Sequence, residues 1–127
     1  MTIEDNLKIL RENMAEAALR AGRNAEEVKL IAVTKTVDGQ RIQEAIALGV
    51  NRIGENRVQE LLEKYESYAN AEKHLIGRLQ TNKVKKIVGR VNLIHSVDRL
   101  ALAKEIGRCA ANAGIICPVL IEVNLGQ

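Results

Sequence analysis

Apolar residues at Ile3, Leu7, Leu10, Met14, Ala17 and Ala21 recur at helical spacing and predict an opening helix over about 3–21. Thr2 and Asp5 form a capping-box pair at its start, with Asp where Glu is usual, and Gly22 supplies a stop. The pattern then changes period. Residues 28–34 are apolar nearly throughout and predict a strand covered on both faces. Asp38 is placed to cap a helix carrying Ile42, Ala45 and Ile46, which Gly49 ends. A short second strand follows at 52–54. Asn56, with Gln59 completing a reciprocal box, is placed to cap a helix presenting Val58, Leu61, Leu62 and Tyr65. The cycle repeats with a strand at 74–77 and a short helix capped by Thr81 that carries Val84, Ile87 and Val88. A fourth strand at 91–95 precedes a helix that begins at Ser96 or Asp98, runs through Leu102, Ile106, Ala110 and Ala113, and stops at Gly114. A fifth strand is predicted at 117–124.

Strand ends therefore fall at Lys35, Gly54, Gly77, His95 and Asn124, with room for a helical crossover in each interval. Such crossovers return the next strand parallel and right-handed. The fold class is α/β, built of parallel βα repeats without an evident linker or second domain. These repeats fit either a doubly wound sheet or an arc of a (βα)8 barrel. A full barrel takes roughly 250 residues. Here the chain stops at Leu125-Gly126-Gln127, directly after the fifth strand and with no helix to cover it. The barrel reading thus implies a piece of a longer domain with an open sheet edge. Length favours the five-stranded open sheet, so motifs must arbitrate.

Composition narrows the class of protein. Of 127 residues, 46% are hydrophobic and 28% charged, an ordinary globular balance. Nineteen Lys and Arg against 16 Asp and Glu give +3, too little to argue a nucleic-acid binder. With one Pro, no Phe and no Trp, the core must be built from Ile, Leu, Val and Ala. Cys109 and Cys117 make neither a disulfide-dense scaffold nor a zinc site. No apolar run approaches the ~20 residues of a membrane span, and the N-terminus lacks a secretory pattern. A cytoplasmic protein is the default expectation.

Lys35 is the first candidate for chemistry. Strand alternation sets it on one face with Ile31 and Val33, opposite Leu30, Ala32 and Thr34. A Lys at the C-terminal end of a barrel strand lies where active sites sit, and its amine can form a Schiff base with an aldehyde such as pyridoxal phosphate. Phosphate binding or simple snorkelling into water are the other readings. In Gly54-Glu55-Asn56, Gly54 permits close backbone approach, Glu55 can pair with a cation, and Asn56 can meet a ligand oxygen or cap its own helix. Residues 77–83 form a Gly-led loop whose backbone can receive an anion, though the nucleotide-loop spacing is absent. Residues 73–97 hold six Lys and Arg and no Asp or Glu, without the aromatic residues that stack on bases. His74 and His95 share no ligand motif, so no metal site is predicted. His95, at a strand terminus, can reach a ligand.

These residues also carry a family resemblance. Leu30-Ile31-Ala32-Val33-Thr34-Lys35-Thr36 resembles the lysine-bearing first strand of the YggS/PROSC family, the pyridoxal phosphate homeostasis proteins. The blocks Ile53-Gly54-Glu55-Asn56-Arg57-Val58-Gln59-Glu60, His74-Leu75-Ile76-Gly77-Arg78-Leu79-Gln80-Thr81-Asn82-Lys83 and Leu93-Ile94-His95-Ser96-Val97-Asp98 follow in family order. The resemblance spans essentially the whole chain but only about the N-terminal half of a family member. It favours part of an alanine-racemase-like TIM-type barrel, cut after the fifth strand. Residues 1–127 are then the N-terminal portion of one barrel domain that binds pyridoxal phosphate.

The resemblance implies that Lys35 forms the Schiff base with pyridoxal 5′-phosphate and that Asn56 lies near the cofactor. It sets His95 and Ser96 on the same rim. It implies a carrier that manages cofactor supply, with apo-enzyme acceptors as partners, rather than an enzyme with turnover. A racemase-like enzyme and a basic nucleic-acid or protein interaction module are the alternatives. Family phosphate contacts lie largely in the C-terminal half, so these residues alone are expected to bind the cofactor poorly, and the uncovered fifth strand leads to an expectation of self-association or a complementary fragment. The sequence departs from the family at Ile53, Arg57, Lys73 and Arg78, and at Val37, where some members carry a second Lys.

Overall fold

The structure, a computed structural model, describes residues 2–126. Helix α1 (Ile3–Arg20) leads through a 3-10 turn into β1 (Ala32–Val33) and α2 (Gly39–Ala47). Next come β2 (Arg52–Glu55), α3 (Val58–Glu63) and a 3-10 turn at Tyr65–Tyr68. Strand β3 (Glu72–Leu75), a 3-10 turn at Thr81–Lys83, α4 (Val84–Ile87), β4 (Leu93–Val97), α5 (Leu100–Ala113) and β5 (Val119–Ile121) complete the order.

All four strand pairings are parallel, and spatial order follows chain order from β1 to β5. A doubly wound sheet reverses its strand order at a switch point. This sheet never reverses. Successive right-handed crossovers therefore lay the helices on one face, which is the geometry of a barrel arc. The open-sheet alternative is set aside.

The helix-covered face carries the core. Ile42, Leu61, Leu75, Leu79, Ile87, Ile94 and Leu102 are fully buried there, each contributing about 1.5–3 kcal/mol by leaving water. Leu79 reaches this core from the loop after β3, and Arg99 donates to its carbonyl at 2.6 Å, so that loop is pinned at both levels. Cys109 is buried on the core side of α5.

Several local expectations shift. The Thr2–Asp5 capping box forms, but the inward stripe of α1 runs through Ile3, Leu7, Met14 and Ala18, leaving Leu10, Ala17 and Ala21 exposed. Strand β1 is two residues long because β2 begins at Arg52, so residues before Ile31 find no ladder partner. Strand β3 starts earlier than hydropathy suggests: polar Glu72 joins the ladder opposite Arg52, with the two side chains 3.6 Å apart. Strand β4 starts later because Asn92 accepts from the Lys73 amide at 2.8 Å. Asn56 is not the cap of α3; Arg57 occupies that position, without a side-chain hydrogen bond, and Gln59 bonds Glu63 instead. Thr81 does not cap either, since the Lys83 amide it would receive is taken by the Gln80 carbonyl. Helix α5 starts after Arg99; Ser96 lies in β4 and Asp98 pairs with Arg99.

Candidate functional site

Parallel strands bring their C-terminal ends to one rim. The ladder pairs Val33 with Gly54, Gly54 with His74, and His74 with Leu93. This row lies on the inner face, away from the helices, where Val33 is 51% exposed. Extended two residues past these pairs, the register leads to a row of Lys35, Asn56, Ile76 and His95 at the rim, with Lys35 in the turn that the Val37 amide closes on the Thr34 carbonyl at 3.1 Å. Just below this height the strands are tied by Thr34 N–H donating to the Gly54 carbonyl at 3.0 Å and Ile76 N–H to the Glu55 carbonyl at 2.9 Å. Three of the four residues singled out in the sequence thus share one row, and Lys35 is exposed at its end.

Two glycines shape this surface. A Cβ on Gly54 would stand 3.0 Å from Ile31 Cγ2 and 3.2 Å from Ile76 Cδ1, so the glycine keeps the inner face shallow between them. Gly77 presses against the Asn56 main chain; a Cβ there would meet the Asn56 carbonyl oxygen and lie 2.7 Å from its Cα. Close approach thus fixes the backbone of Asn56. Its side chain, freed from capping, makes no hydrogen bond among the described residues and is half-buried.

Strand β4 carries a β-bulge. Its register advances from Ile94 to Val97 while β5 advances only from Val119 to Ile121. Ile94 and Val97 both belong to the core, so the extra residue is accommodated at His95–Ser96. The bulge removes the strict alternation that would send Ser96 to the face opposite His95; such irregularities re-aim side chains and recur beside active sites. Ser96 Oγ is buried without a hydrogen-bond partner among the described residues.

The two histidines meet on the inner face. His74 Nδ1 lies 2.9 Å from His95 Nε2, and His74 Nε2 lies 3.3 Å from Glu72 Oε1. With His74 Nε2–H donating to Glu72, its Nδ1 accepts from His95 Nε2–H. Burial, aided by repulsion from His74, holds the His95 imidazole below its ordinary value of 6.5. The folded state therefore disfavours protonated His95. Its contribution to stability is complete above about pH 6.5 and is lost as pH falls through the lowered folded value. An imidazole NMR titration is expected to show His95 below 6.5, and His95→Gln is expected to flatten that part of the pH–stability curve. A titration at or above 6.5 would contradict this environment.

Behind the row sits a group that sequence reasoning found only in part. Glu55 is 0% exposed, and its Oε2 accepts from Thr34 Oγ1 at 2.6 Å and Tyr68 Oη at 2.9 Å. Lys64 Nζ lies 3.1 Å from the same oxygen and 2.6 Å from Glu60 Oε2. Burial would lower the Lys64 ammonium, but hydrogen bonds to Glu60 and Glu55 outweigh it and hold the group above its ordinary value. The Lys64 hydrogen bond, then the Thr36 amide, hold Glu60 below the usual carboxylate range. Burial and the Glu55 hydrogen bond push the Tyr68 hydroxyl far up. Glu55 was legible as an ion-pair candidate; Lys64 and Tyr68 come from the next helical turns, and no local spacing marks them.

The alanine racemase N-terminal domain model matches residues 6–127. The chain belongs to that family. It is 48% identical over 124 residues to a protein from Aquifex aeolicus named pyridoxal phosphate homeostasis protein, covering 96% of this chain and 54% of that one. PipY of Synechococcus elongatus, solved without pyridoxal phosphate, superposes with a TM-score of 0.85 at 35% identity over 99% of this chain and 55% of PipY. PipY with pyridoxal phosphate bound gives 0.76 at 39% identity over 90% and 56%. The chain thus spans about half the length of the relatives it matches, and its five strands correspond to the N-terminal part of an alanine-racemase-like barrel. Among the described residues, no helix is long and apolar enough to cross a membrane.

Proposed function

We propose that these residues bind pyridoxal 5′-phosphate through a Schiff base at Lys35, and that the protein serves cofactor homeostasis in the cytoplasm as a carrier without turnover. The observation that carries this reading is the row at the rim, with an exposed lysine, a free Asn56 amide and His95. The donor set fits the group. Lys35 offers a primary amine to an aldehyde, and Asn56 offers both an N–H and a carbonyl oxygen to a polar ring substituent. His95, held toward its uncharged form, adds one imidazole face without a second cation, and Ser96 adds an unpaired hydroxyl beside it. When bound, pyridoxal phosphate supplies an electrophilic aldehyde and an electron-withdrawing ring. The names of the relatives and the PipY complex support the choice of ligand. A carrier passes the cofactor to apo-enzyme acceptors, which are its expected partners.

Borohydride reduction of the complete gene product in the presence of pyridoxal phosphate, followed by peptide mass analysis, tests the assignment. The pyridoxyl label is expected on Lys35 and is expected to fall more than tenfold at that peptide in Lys35→Ala. Label confined to another lysine would sink it. Transfer of cofactor to an apo-enzyme with no conversion of amino acids distinguishes a carrier from an enzyme.

A further inference from the structure

The polar cluster behind the inner face converges on one short stretch of main chain. Lys64 Nζ donates to the Thr34 carbonyl at 2.7 Å and to the Val37 carbonyl at 2.9 Å. Those two carbonyls bracket Lys35 and Thr36. Glu60, itself paired with Lys64, accepts the Thr36 amide at 2.6 Å. Glu55 accepts the Thr34 hydroxyl at 2.6 Å. We infer that Lys64, bridged between Glu55 and Glu60, is a positioning residue for Lys35: it fixes the backbone on both sides of that lysine and so sets where its amine stands on the rim. This inference rests on the reading of Lys35 as the cofactor lysine.

Three features argue for positioning over simple adhesion of α3 to the sheet. Thr36 is held at φ 61°, a left-handed conformation that a β-branched residue adopts only when its surroundings impose it. The contacts that hold it are the Glu60 carboxylate on its amide and the Lys64 ammonium on the flanking carbonyls, added to the turn's own bond from the Val37 amide to the Thr34 carbonyl at 3.1 Å. Secondly, Glu55 Oε1 is buried with no partner among the described residues. A buried ion pair with an unsatisfied oxygen contributes little net stability, and well-packed apolar residues serve that purpose as well or better. Thirdly, Lys64 spends its hydrogen bonds on carbonyls at both ends of the turn, which fixes the turn's shape as well as its attachment. A lysine side chain is long and loses reach if its Cα wanders, so an amine that must meet one aldehyde gains from a fixed root.

The test uses the complete gene product and two variants. Lys64→Met removes the clamp, and Glu60→Gln removes the carboxylate that both accepts the Thr36 amide and pairs with Lys64, leaving the Glu55–Lys64 pair in place should Lys64→Met fail to fold. Amide hydrogen exchange at Thr36 is read without cofactor. The growth of absorbance near 420 nm on adding pyridoxal phosphate, and the borohydride-trapped label at Lys35, are read with it. In Glu60→Gln, Thr36 exchange is expected to accelerate at least tenfold while β2 and α3 amides stay protected, with Lys35 labelling slowed several-fold. Folded Lys64→Met is expected to slow labelling tenfold or more, and Lys64→Arg to restore part of it. Unchanged labelling rates beside faster Thr36 exchange would overturn the inference, as would unchanged Thr36 exchange in both variants. Absence of label on wild-type Lys35 would overturn the functional reading and this one with it, and the cofactor-free exchange result tells that failure apart from failure of the clamp.

Discussion

Gly77→Ala is expected to destabilise the complete gene product by about 3 kcal/mol, the upper end of the usual range for overpacking. Most added methyl groups meet side chains, which can rotate aside. This one meets main chain: the Asn56 carbonyl oxygen, with Cα at 2.7 Å and the carbonyl carbon at 2.9 Å. Relief requires β3 and β2 to separate where the Ile76 amide bonds the Glu55 carbonyl at 2.9 Å. Two further glycines give the scale. Gly54→Ala meets only the Ile31 and Ile76 side chains, at 3.0 Å and beyond, and is expected to cost about 1 kcal/mol. Gly107→Ala, within α5, meets nothing within 4 Å and is expected to stabilise by about 0.5–1 kcal/mol through helix propensity. Urea unfolding of the three variants checks the order. A Gly77→Ala protein within 0.5 kcal/mol of wild type would show that the Asn56 backbone yields easily, and the close-packing account of that site would fail.

The same glycine illustrates what the sequence does and does not reveal. Five strands and their intervening helices are legible because aliphatic runs alternate with helical spacing, and because Thr2, Asp38 and Gly114 punctuate them as their chemistry requires. The predicted face-sharing of Ile31 and Val33 follows from alternation alone, and Gly54, level with Val33, packs against Ile31, whereas Lys35 lies past the strand in the turn from Thr34 to Val37. The barrel arc is not legible from spacing. Strand order is a matter of which neighbour each crossover selects, and only the family resemblance favoured the order that the sheet adopts.

Errors arise where a polar residue has two uses for its hydrogen bonds. Asn56 reads as a cap because Gln59 stands three residues on, yet α3 begins without a side-chain cap and the Asn56 amide makes no hydrogen bond among the described residues. Ser96 reads as a helix start because a helix does follow, yet β4 extends through it and a bulge takes up the extra residue. In both cases a residue that local rules assign to a helix terminus sits at the strand ends instead, Asn56 after β2 and Ser96 beside His95 in β4. Local consistency is relaxed at sites and kept elsewhere. The Lys64 clamp escapes local rules for another reason: its partners lie 27 and 30 residues away along the chain.

The 127 residues by themselves are expected to self-associate or to bind a complementary half-barrel rather than persist as a monomer. A parallel sheet normally has both faces covered. Here Val119, Leu120 and Ile121 of β5 are all exposed, and the apolar run continues through Val123 and Leu125, which are 69% and 94% exposed. Among the described residues strand β5 pairs with β4 alone, so its outer backbone edge offers a row of donors and acceptors to another strand. Each large apolar side chain left in water forgoes about 1.5–3 kcal/mol, against a total stability of ~5–15 kcal/mol for an ordinary domain. A few such residues therefore decide whether the fold stands alone. Sedimentation velocity is expected to show concentration-dependent dimers or larger species. Ile121→Lys with Val123→Lys is expected to shift the population toward monomer, because edge charges repel a pairing strand. Hydrogen exchange gives the independent reading: monomeric chains are expected to lose protection in β1 and β5 first, as the two outer strands of the sheet. A sharp monomer with strongly protected Ala32, Val33 and Leu120 amides would overturn the argument, since the two edges would then be stable without any covering strand.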